Sequence, residues 1–312
     1  MIIDSHAHIL DRSWLPDKWW KWLDTYDNPA EKSIAGIFNH RKRNRISDLW
    51  DPTGEKLIAS MDRSGIAKSV VLPLDFGLHL GEPETDIFTQ NTLIGKIAEK
   101  HAPRIIPFAG VDPRRPEALD ILTHGIRHLG MKGLKLYPGT GFHLNEAPCL
   151  KIFEKARQFD IPVIVHTGCT FGPLLSRYCQ PLEIDEIVST FPGIRIVGAH
   201  MGGGWFESLC WLGYANTGIY TDISLVQARC KQNPNEFAGM MRKALDMLGA
   251  ENVLFGTDWP FTDRVMAPAD YIQRIQTLVN PTDNGPVFMK EEIRKILCKN
   301  AKTLLKLKDK EM

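Results

Sequence analysis

Short apolar runs recur along the chain and alternate with segments of helical spacing. Eight of these runs have the length and apolar content of buried strands. They cover residues 1–8, 69–73, 105–112, 133–138, 162–168, 195–202, 219–225 and 253–260. Between them, apolar residues recur every three or four positions, which predicts helices. The helical segments include residues 116–129, 149–160 and 234–248.

The alternation of strand and helix indicates an α/β fold with a parallel sheet. The strands are apolar almost throughout, so the sheet is buried on both faces. Eight units over about 250 residues predict a closed (β/α)8 barrel of the TIM type. An open doubly wound sheet predicts a glycine-rich turn after the first strand, and Ser5-His6-Ala7 is not one. We expect a single domain over 1–312, with residues 11–56 inserted after the first strand.

Ligand-type side chains stand at the ends of several predicted strands. His6 and His8 are two positions apart and therefore project to the same face. His166 ends the fifth strand, His200 the sixth and Asp258 the eighth. Each alone is compatible with a core histidine or a helix-capping aspartate. Because catalytic groups of such barrels lie at the carboxyl ends of the strands, the set together predicts a metal centre.

The motifs that carry these residues resemble one enzyme superfamily. They are Asp-Ser-His-Ala-His at 4–8, VHTG at 165–168, GAHMGG at 198–203 and GTDWP at 256–260. Together with the Asn300–Leu307 tail they are similar to the amidohydrolase superfamily, in its amidohydrolase-2 group. That group includes aminocarboxymuconate-semialdehyde decarboxylase and related lactone hydrolases. The resemblance covers nearly the whole chain.

The resemblance implies that His6, His8, His166 and Asp258 bind a divalent metal and that His200 is catalytic. Neutral imidazoles and a carboxylate suit Zn²⁺, although Mn²⁺ or another ion is compatible with the same set. A metal with an open position lowers the pKa of its bound water toward about 7. Asp258 would also carry the proton of that water, and His200 would stabilise the developing oxyanion.

Lys135 introduces an alternative. It lies on the fourth predicted strand between Leu134 and Leu136, which face the opposite side. A lysine inside a barrel needs a partner or loses its charge. Branches of the superfamily with a carboxylated lysine on this strand imply a second metal, bound here with His166 and His200. Otherwise the ammonium group of Lys135 reaches a carboxylate or the substrate, and the amidohydrolase-2 group implies one metal.

Weaker candidates for substrate binding lie in two places. Tyr137 and His143 follow the fourth strand and are expected to line the pocket. Arg41, Arg43 and Arg45 lie in the insertion and are able to clamp an anionic substrate, unless they form a solvated basic face.

Three functions follow from these residues. The first is hydrolysis of a small-molecule ester, lactone or amide by metal-bound hydroxide. The alternative is non-oxidative decarboxylation of an aromatic or unsaturated carboxylic acid on the same metal. A barrel that has lost catalysis and serves as a binding scaffold is the third, and the complete ligand set disfavours it.

Composition disfavours nucleic acid and membranes as partners, and the resemblance implies a small-molecule substrate. The net charge is +1, from 38 basic and 37 acidic residues, which gives no general attraction to nucleic acid or membranes. No apolar run is long enough to span a bilayer, and the N-terminus lacks the features of a secretory signal. These features predict a cytoplasmic protein. The six cysteines form no CxxC pair, which predicts reduced thiols, and the Trp-rich insertion is compatible with a homodimer.

Overall fold

The fold is built on short parallel strands. The computed structural model describes residues 1–25, 46–280 and 285–308. Within these ranges the strands are β1 Ile3–Ala7, β2 Lys68–Val71, β3 Ile105–Pro107, β4 Ala109–Gly110, β5 Leu134–Leu136, β6 Val163–Val165, β7 Ile196–Gly198, β8 Ile219–Asp222 and β9 Val253–Leu254. They form two parallel sheets, ordered β1-β2-β3 and β4-β5-β6-β7-β8-β9. The predicted parallel α/β architecture is confirmed.

At Phe108, between β3 and β4, the chain changes its hydrogen-bond partner. The Phe108 N–H donates to the carbonyl of Val71 on β2 at 3.0 Å. The next residue, Ala109, donates instead to Gly133, just before β5, at 2.9 Å. The third strand, predicted over 105–112, is therefore observed as two short strands, β3 and β4. The chain passes directly from one to the other and so links the two sheets.

A second set of backbone hydrogen bonds joins the other two edges, and we call it the β1–β9 seam. Ser5 donates to the Phe255 carbonyl at 2.8 Å, and Asp258 donates to the His6 carbonyl at 2.7 Å. A parallel bridge between Ala7 and the segment after β9 continues this pairing. Backbone hydrogen bonds therefore join the two sheets at both of their edges, and the strands follow the predicted (β/α)8 order.

Helices connect the strands and pack outside them. They are α1 Asp17–Thr25, α2 Glu55–Ser64, α3 Gly77–Leu80, α4 Ile87–Lys100, α5 Ala118–His128, α6 Ala147–Gln158, α7 Glu183–Thr190, α8 Phe206–Ala215, α9 Gln227–Gln232, α10 Pro234–Leu248, α11 Pro268–Thr277, α12 Lys290–Arg294 and α13 Asn300–Leu304. The helix predicted over 234–248 is observed with the same bounds, because Asn233 caps its start and Gly249 follows its end. None of the described helices is long and apolar enough to cross a bilayer.

Side chains alternate between the barrel interior and the helix layer. On β6, Val163 and Val165 pack with the helices, while Ile164 packs in the interior cluster with Val197 and Leu254. Because strand residues two apart share a face, the next interior position after Ile164 is residue 166. The apolar side chains inside the barrel are therefore followed by His166 at the carboxyl end of this strand.

The described part of the insertion packs over that end of the barrel. Trp19 and Trp20 of α1 are buried in one apolar cluster with Phe76 and Phe261, which follow β2 and β9. The Trp19 and Phe76 ring centroids are 5.4 Å apart. These tryptophans thus contact the barrel of their own chain.

Candidate metal centre and active site

Three ligand-type side chains from opposite ends of the chain meet at the carboxyl end of the barrel. His8 Nε2 lies 3.2 Å from Asp258 Oδ1, and His6 Nε2 lies 3.5 Å from the same oxygen. One potential ligand atom of each residue lies within 4.8 Å of the other two. All three side chains are buried. The structure therefore brings together three of the four predicted metal ligands.

Hydrogen bonds fix the proton positions on the two β1 imidazoles. His6 Nδ1 lies 2.8 Å from Asp222 Oδ2, and His8 Nδ1 lies 2.7 Å from the Leu72 carbonyl oxygen. Both partners only accept, so each Nδ1 carries the hydrogen and donates it. The Nε2 atoms of His6 and His8 therefore carry no hydrogen, and each keeps a lone pair that is able to bind a cation.

A chain of hydrogen bonds leads from Asp222 to His166. The Ser224 hydroxyl donates to Asp222 Oδ1, since a carboxylate only accepts. His200 Nδ1, 2.7 Å from Ser224 Oγ, donates to that hydroxyl, which leaves His200 Nε2 as an acceptor. His166 Nδ1 donates to it at 3.1 Å. The Nε2 atom of His166 is then a buried lone pair that has no partner among the described residues.

Burial and the neighbouring groups keep Asp222 and Asp258 charged and keep His8, His166 and His200 neutral. Burial raises the pKa of Asp222, but His6 and the hydrogen bonds to the carboxylate lower it well below its ordinary value. Burial also raises the pKa of Asp258, but the neighbouring His8, His200 and His6 lower it well below its ordinary value. Burial lowers the pKa of His200 to about 3. This charge state suits a bound divalent cation.

Lys135 lies beside His6 inside the barrel. Its Nζ atom is 3.4 Å from His6 Nε2, and its neighbours Leu134 and Leu136 pack outward. Burial lowers the pKa of Lys135 to about 8, although Asp222 and Asp258 favour its charged form. The amine therefore lies where a carboxylated lysine would reach the metal centre, and the second metal stays a prediction.

Left-handed backbone at three strand ends turns the chain sharply. His200, Leu225 and Asp258 have φ values of 61°, 62° and 55°. L-residues seldom adopt this region, and such strain is typical of functional sites. The predicted sixth and eighth strands, 195–202 and 253–260, are therefore too long, because the chain leaves the extended conformation before His200 and Asp258.

Gly256, in the GTDWP motif, permits the close approach of β1. A Cβ atom on Gly256 would lie 2.9 Å from the Cβ of His6 and 3.1 Å from that of Ser224. A side chain at this position would push His6 away from Asp258.

A cavity of about 40 Å³ lies over these groups. The residues that line it are His8, Trp19, Leu74, Phe76, Lys135, Tyr137, His166, Phe171, His200, Leu225, Asp258 and Phe261. The lining thus combines polar side chains with aromatic rings. Tyr137 is in the cavity, as predicted for a substrate-binding residue, and its ring stacks on His166 with centroids 4.0 Å apart.

The structure does not bring His143 into this cavity. The short helical turn Pro138–Thr140 carries the chain outward, and His143 Nδ1 pairs with Glu183 at the surface. The interpretation of His143 as a pocket residue is therefore corrected. The predicted clamp of Arg41, Arg43 and Arg45 lies outside the described residues.

Asp222 and Ser224 belong to this hydrogen-bond network, but they are not among the residues that the sequence motifs single out. They stand two apart at the end of β8, the same spacing that singled out His6 and His8. Their hydrogen bonds with His6 and His200 span more than 20 positions in sequence, up to 218. The two-residue spacing could have identified Asp222 and Ser224 as candidates. The sequence gives no sign that their hydrogen-bond partners are His6 and His200.

Comparisons with known proteins identify the family of this chain. The amidohydrolase family model matches residues 3–307, and the chain belongs to this family. It is similar to 2-amino-3-carboxymuconate-6-semialdehyde decarboxylase of Dictyostelium discoideum, with 23% identity over 90% of this chain and 87% of that protein.

Two solved structures share the fold. A 5-carboxyvanillate decarboxylase of Novosphingobium aromaticivorans, with bound manganese, has a TM-score of 0.71 and 18% identity, over 98% of this chain and 97% of that one. A dihydroxybenzoic acid decarboxylase of Polaromonas, also with manganese, has a TM-score of 0.65 and 17% identity, over 100% and 98%.

These relatives overturn the first of the predicted functions. The sequence motifs favour hydrolysis of an ester, lactone or amide, whereas the curated relative and both of these structural relatives are decarboxylases. The prediction of a hydrolase is wrong because it rested on the ligand set. The same imidazoles and carboxylate serve both reactions, so they do not distinguish between them.

Replacing Ser224 with alanine should weaken metal binding by about 10- to 100-fold, the usual cost of losing a group that orients a metal ligand. Without the hydroxyl, the His200 Nδ1 hydrogen loses its acceptor, so the orientation of His166 is no longer fixed. Titration with Mn²⁺ measures the dissociation constant. Ser224→Thr, which restores a hydroxyl, should recover most of the affinity.

Ser69 supplies the matched control, because its hydroxyl is buried without a partner among the described residues. Ser69→Ala should leave the Mn²⁺ affinity unchanged. Equal affinities in the Ser224→Ala and unmodified proteins would contradict the proton positions assigned above.

Proposed function

We propose that this protein is a metal-dependent decarboxylase that removes carbon dioxide, without oxidation, from an aromatic or unsaturated carboxylic acid. The His6 and His8 Nε2 lone pairs meet Asp258 at the metal centre, and the observation that carries the proposal is the aromatic wall of the cavity beside it. The similarity to three decarboxylases supports this reaction over others of the same family.

The side chains at this point fit a divalent metal. His166 Nε2 is a buried lone pair without a partner among the described residues, and such an atom is costly unless a cation or a donor occupies it. It lines the same cavity as His8 and Asp258. We therefore assign His6, His8, His166 and Asp258 as the metal ligands. When bound, the metal supplies positive charge that stabilises the negative charge developing on the substrate.

We propose a single ion, manganese or zinc. Manganese is the metal in the two structural relatives, and an imidazole and carboxylate set also suits zinc. A second ion would need both a carboxylated Lys135 and a free His200 Nε2. The latter atom already accepts the hydrogen of His166 Nδ1, which favours one ion.

The cavity walls favour a flat, conjugated acid. Phe76 and Tyr137 pack edge to face at 4.9 Å, and Phe261 packs against His8 at 5.5 Å. Aromatic faces of this kind stack on a planar substrate. Lys135 is the cation that lines the cavity among the described residues, so we assign it to bind the reacting carboxylate.

Asp258 is assigned to proton transfer. Its contacts with His6 and His8 both use Oδ1, so Oδ2 is assigned to take up a proton from solvent when the acid binds. Oδ2 donates this proton to the carbon that bears the carboxylate, forming a new C–H bond. The C–C bond to the carboxylate then breaks, its electron pair restores the conjugated system, and carbon dioxide leaves. Solvent returns a proton to Asp258, so no oxidant or reductant is consumed. His200, held neutral by burial, keeps His166 in place.

An assay of carbon dioxide release tests this function. The Mn²⁺-loaded protein is incubated with a panel of aromatic and unsaturated acids, and carbon dioxide and the decarboxylated product are measured separately. We expect equal amounts of both from at least one acid. Metal-loaded protein that releases no carbon dioxide from the panel but opens lactones or cleaves esters would overturn the proposal.

A further inference from the structure

A second, larger pocket adjoins the metal cavity. It is a groove of about 510 Å³ between the loop after β6, the glycine turn after β7 and helices α9 and α10. It shares Phe171, His200 and Leu225 with the metal cavity, so these three residues are the partition between the two spaces.

The backbone segments around this partition pack tightly against each other. A Cβ atom on Gly203 would lie 2.5 Å from the Cα of Gly168, so the loop after β6 and the glycine turn touch backbone to backbone. Leu225 is held in the left-handed region at φ 62°. Strain of this kind persists only where the surrounding structure fixes it. The side chain of Leu225 is thus held between the two spaces.

The sizes of the two spaces decide how a substrate fits. A volume of 40 Å³ has room for about two or three water molecules, at roughly 10–15 Å³ each. Pockets that enclose whole organic ligands are typically about 300–1,000 Å³, and the groove is within that range. The metal cavity alone therefore does not enclose an acid with a second ring, and the groove is the adjoining space, beyond Phe171, His200 and Leu225.

We propose that the groove is the second half of the substrate site and binds the non-reacting part of an extended acid; this inference rests on the proposed function. Among the described residues that line it, the charged side chains Arg229 and Glu236 pair with each other. Val226, Ala228 and Met240 supply apolar surface. The groove therefore suits an uncharged, apolar group, such as a ring attached to the ring that bears the carboxylate.

Gly204 offers a way to fill the groove without straining the backbone. It lines the groove, its φ is not in the left-handed region, and a Cβ atom there meets only Cys169 Sγ, at 3.4 Å. Gly239 on α10 gives a matched control, because it does not line the groove and a Cβ atom there meets nothing within 4 Å. Gly204→Leu and Gly239→Leu thus make the same change inside and outside the groove.

Calorimetry on the Mn²⁺-loaded protein tests the proposal with two probes, 2-hydroxybenzoate and its 5-phenyl derivative. The extended acid should bind about tenfold more tightly than the compact one, because its second ring is buried. Gly204→Leu should remove this advantage and leave the compact acid within about twofold, since only the groove is obstructed. Gly239→Leu should change neither affinity.

Leu225→Gly provides a second test, because glycine tolerates the left-handed backbone while losing the side chain of the partition. It should improve binding of the extended acid relative to the compact one. The proposal is overturned if the extended acid binds no more tightly than the compact acid, or if Gly204→Leu weakens both equally. Carbon dioxide release from the compact acid alone would reject the groove while preserving the proposed function.

Discussion

Asp258→Asn is expected to lower turnover by about a thousandfold or more, within the range lost when a general acid or base is removed. Asparagine keeps the shape of the side chain but neither carries a transferable proton nor supplies a negative charge. Asp258 has both tasks, since its Oδ1 contacts the two β1 histidines while Oδ2 is assigned to the proton. Carbon dioxide release under saturating Mn²⁺ measures the turnover.

Saturating metal separates the two tasks of Asp258. If turnover stays low when the variant is fully loaded, proton transfer accounts for the loss. Asp62→Asn is the control, because Asp62 pairs with Arg104 at the surface and should leave turnover unchanged. A loss of less than about tenfold in the loaded Asp258→Asn protein would assign the proton to another group.

His8→Ala should remove bound metal and activity together while the fold remains. His8 contributes an Nε2 lone pair to the centre, and its loss should weaken metal binding by more than about a hundredfold. The structural cost is small, because the side chain otherwise makes one hydrogen bond, to Leu72, worth about 1 kcal/mol. Elemental analysis after dialysis measures the metal, and circular dichroism checks the fold.

His101→Ala is the matched histidine control, since His101 bonds to the Thr53 carbonyl away from the barrel interior. This variant should keep both metal and turnover. A full complement of metal in His8→Ala would show that the centre does not depend on the β1 pair. The same measurement counts the ions in the unmodified protein and so tests the second-metal prediction for Lys135.

Much of the barrel was predictable because alternation along a strand is a local property. The inward position of Lys135 follows from its outward neighbours Leu134 and Leu136, and His166 follows Ile164 by two residues. The ends of the strands were less predictable. Turns such as those at His200 and Asp258 use left-handed backbone, for which neither residue type gives a strong signal.

The network around the ligands and the reaction itself could not be read from the sequence. The bond between His6 and Asp222 joins residues 216 positions apart, so no local pattern reveals it. His143 illustrates the opposite error, in which closeness in sequence to a strand end does not place a side chain in the cavity. The reaction depends on the shape and lining of the cavity, which many residues from separate strands create together.

The β1–β9 seam has a consequence for biosynthesis. It joins segments about 250 residues apart, such as Ser5 and Phe255, and the histidines and Asp258 lie along it. Because translation proceeds from the N-terminus, a chain still on the ribosome has His6 and His8 long before it has Asp258. The complete centre can therefore assemble only after the segment that carries Asp258 has been synthesised, and a chain terminated before that segment would lack it.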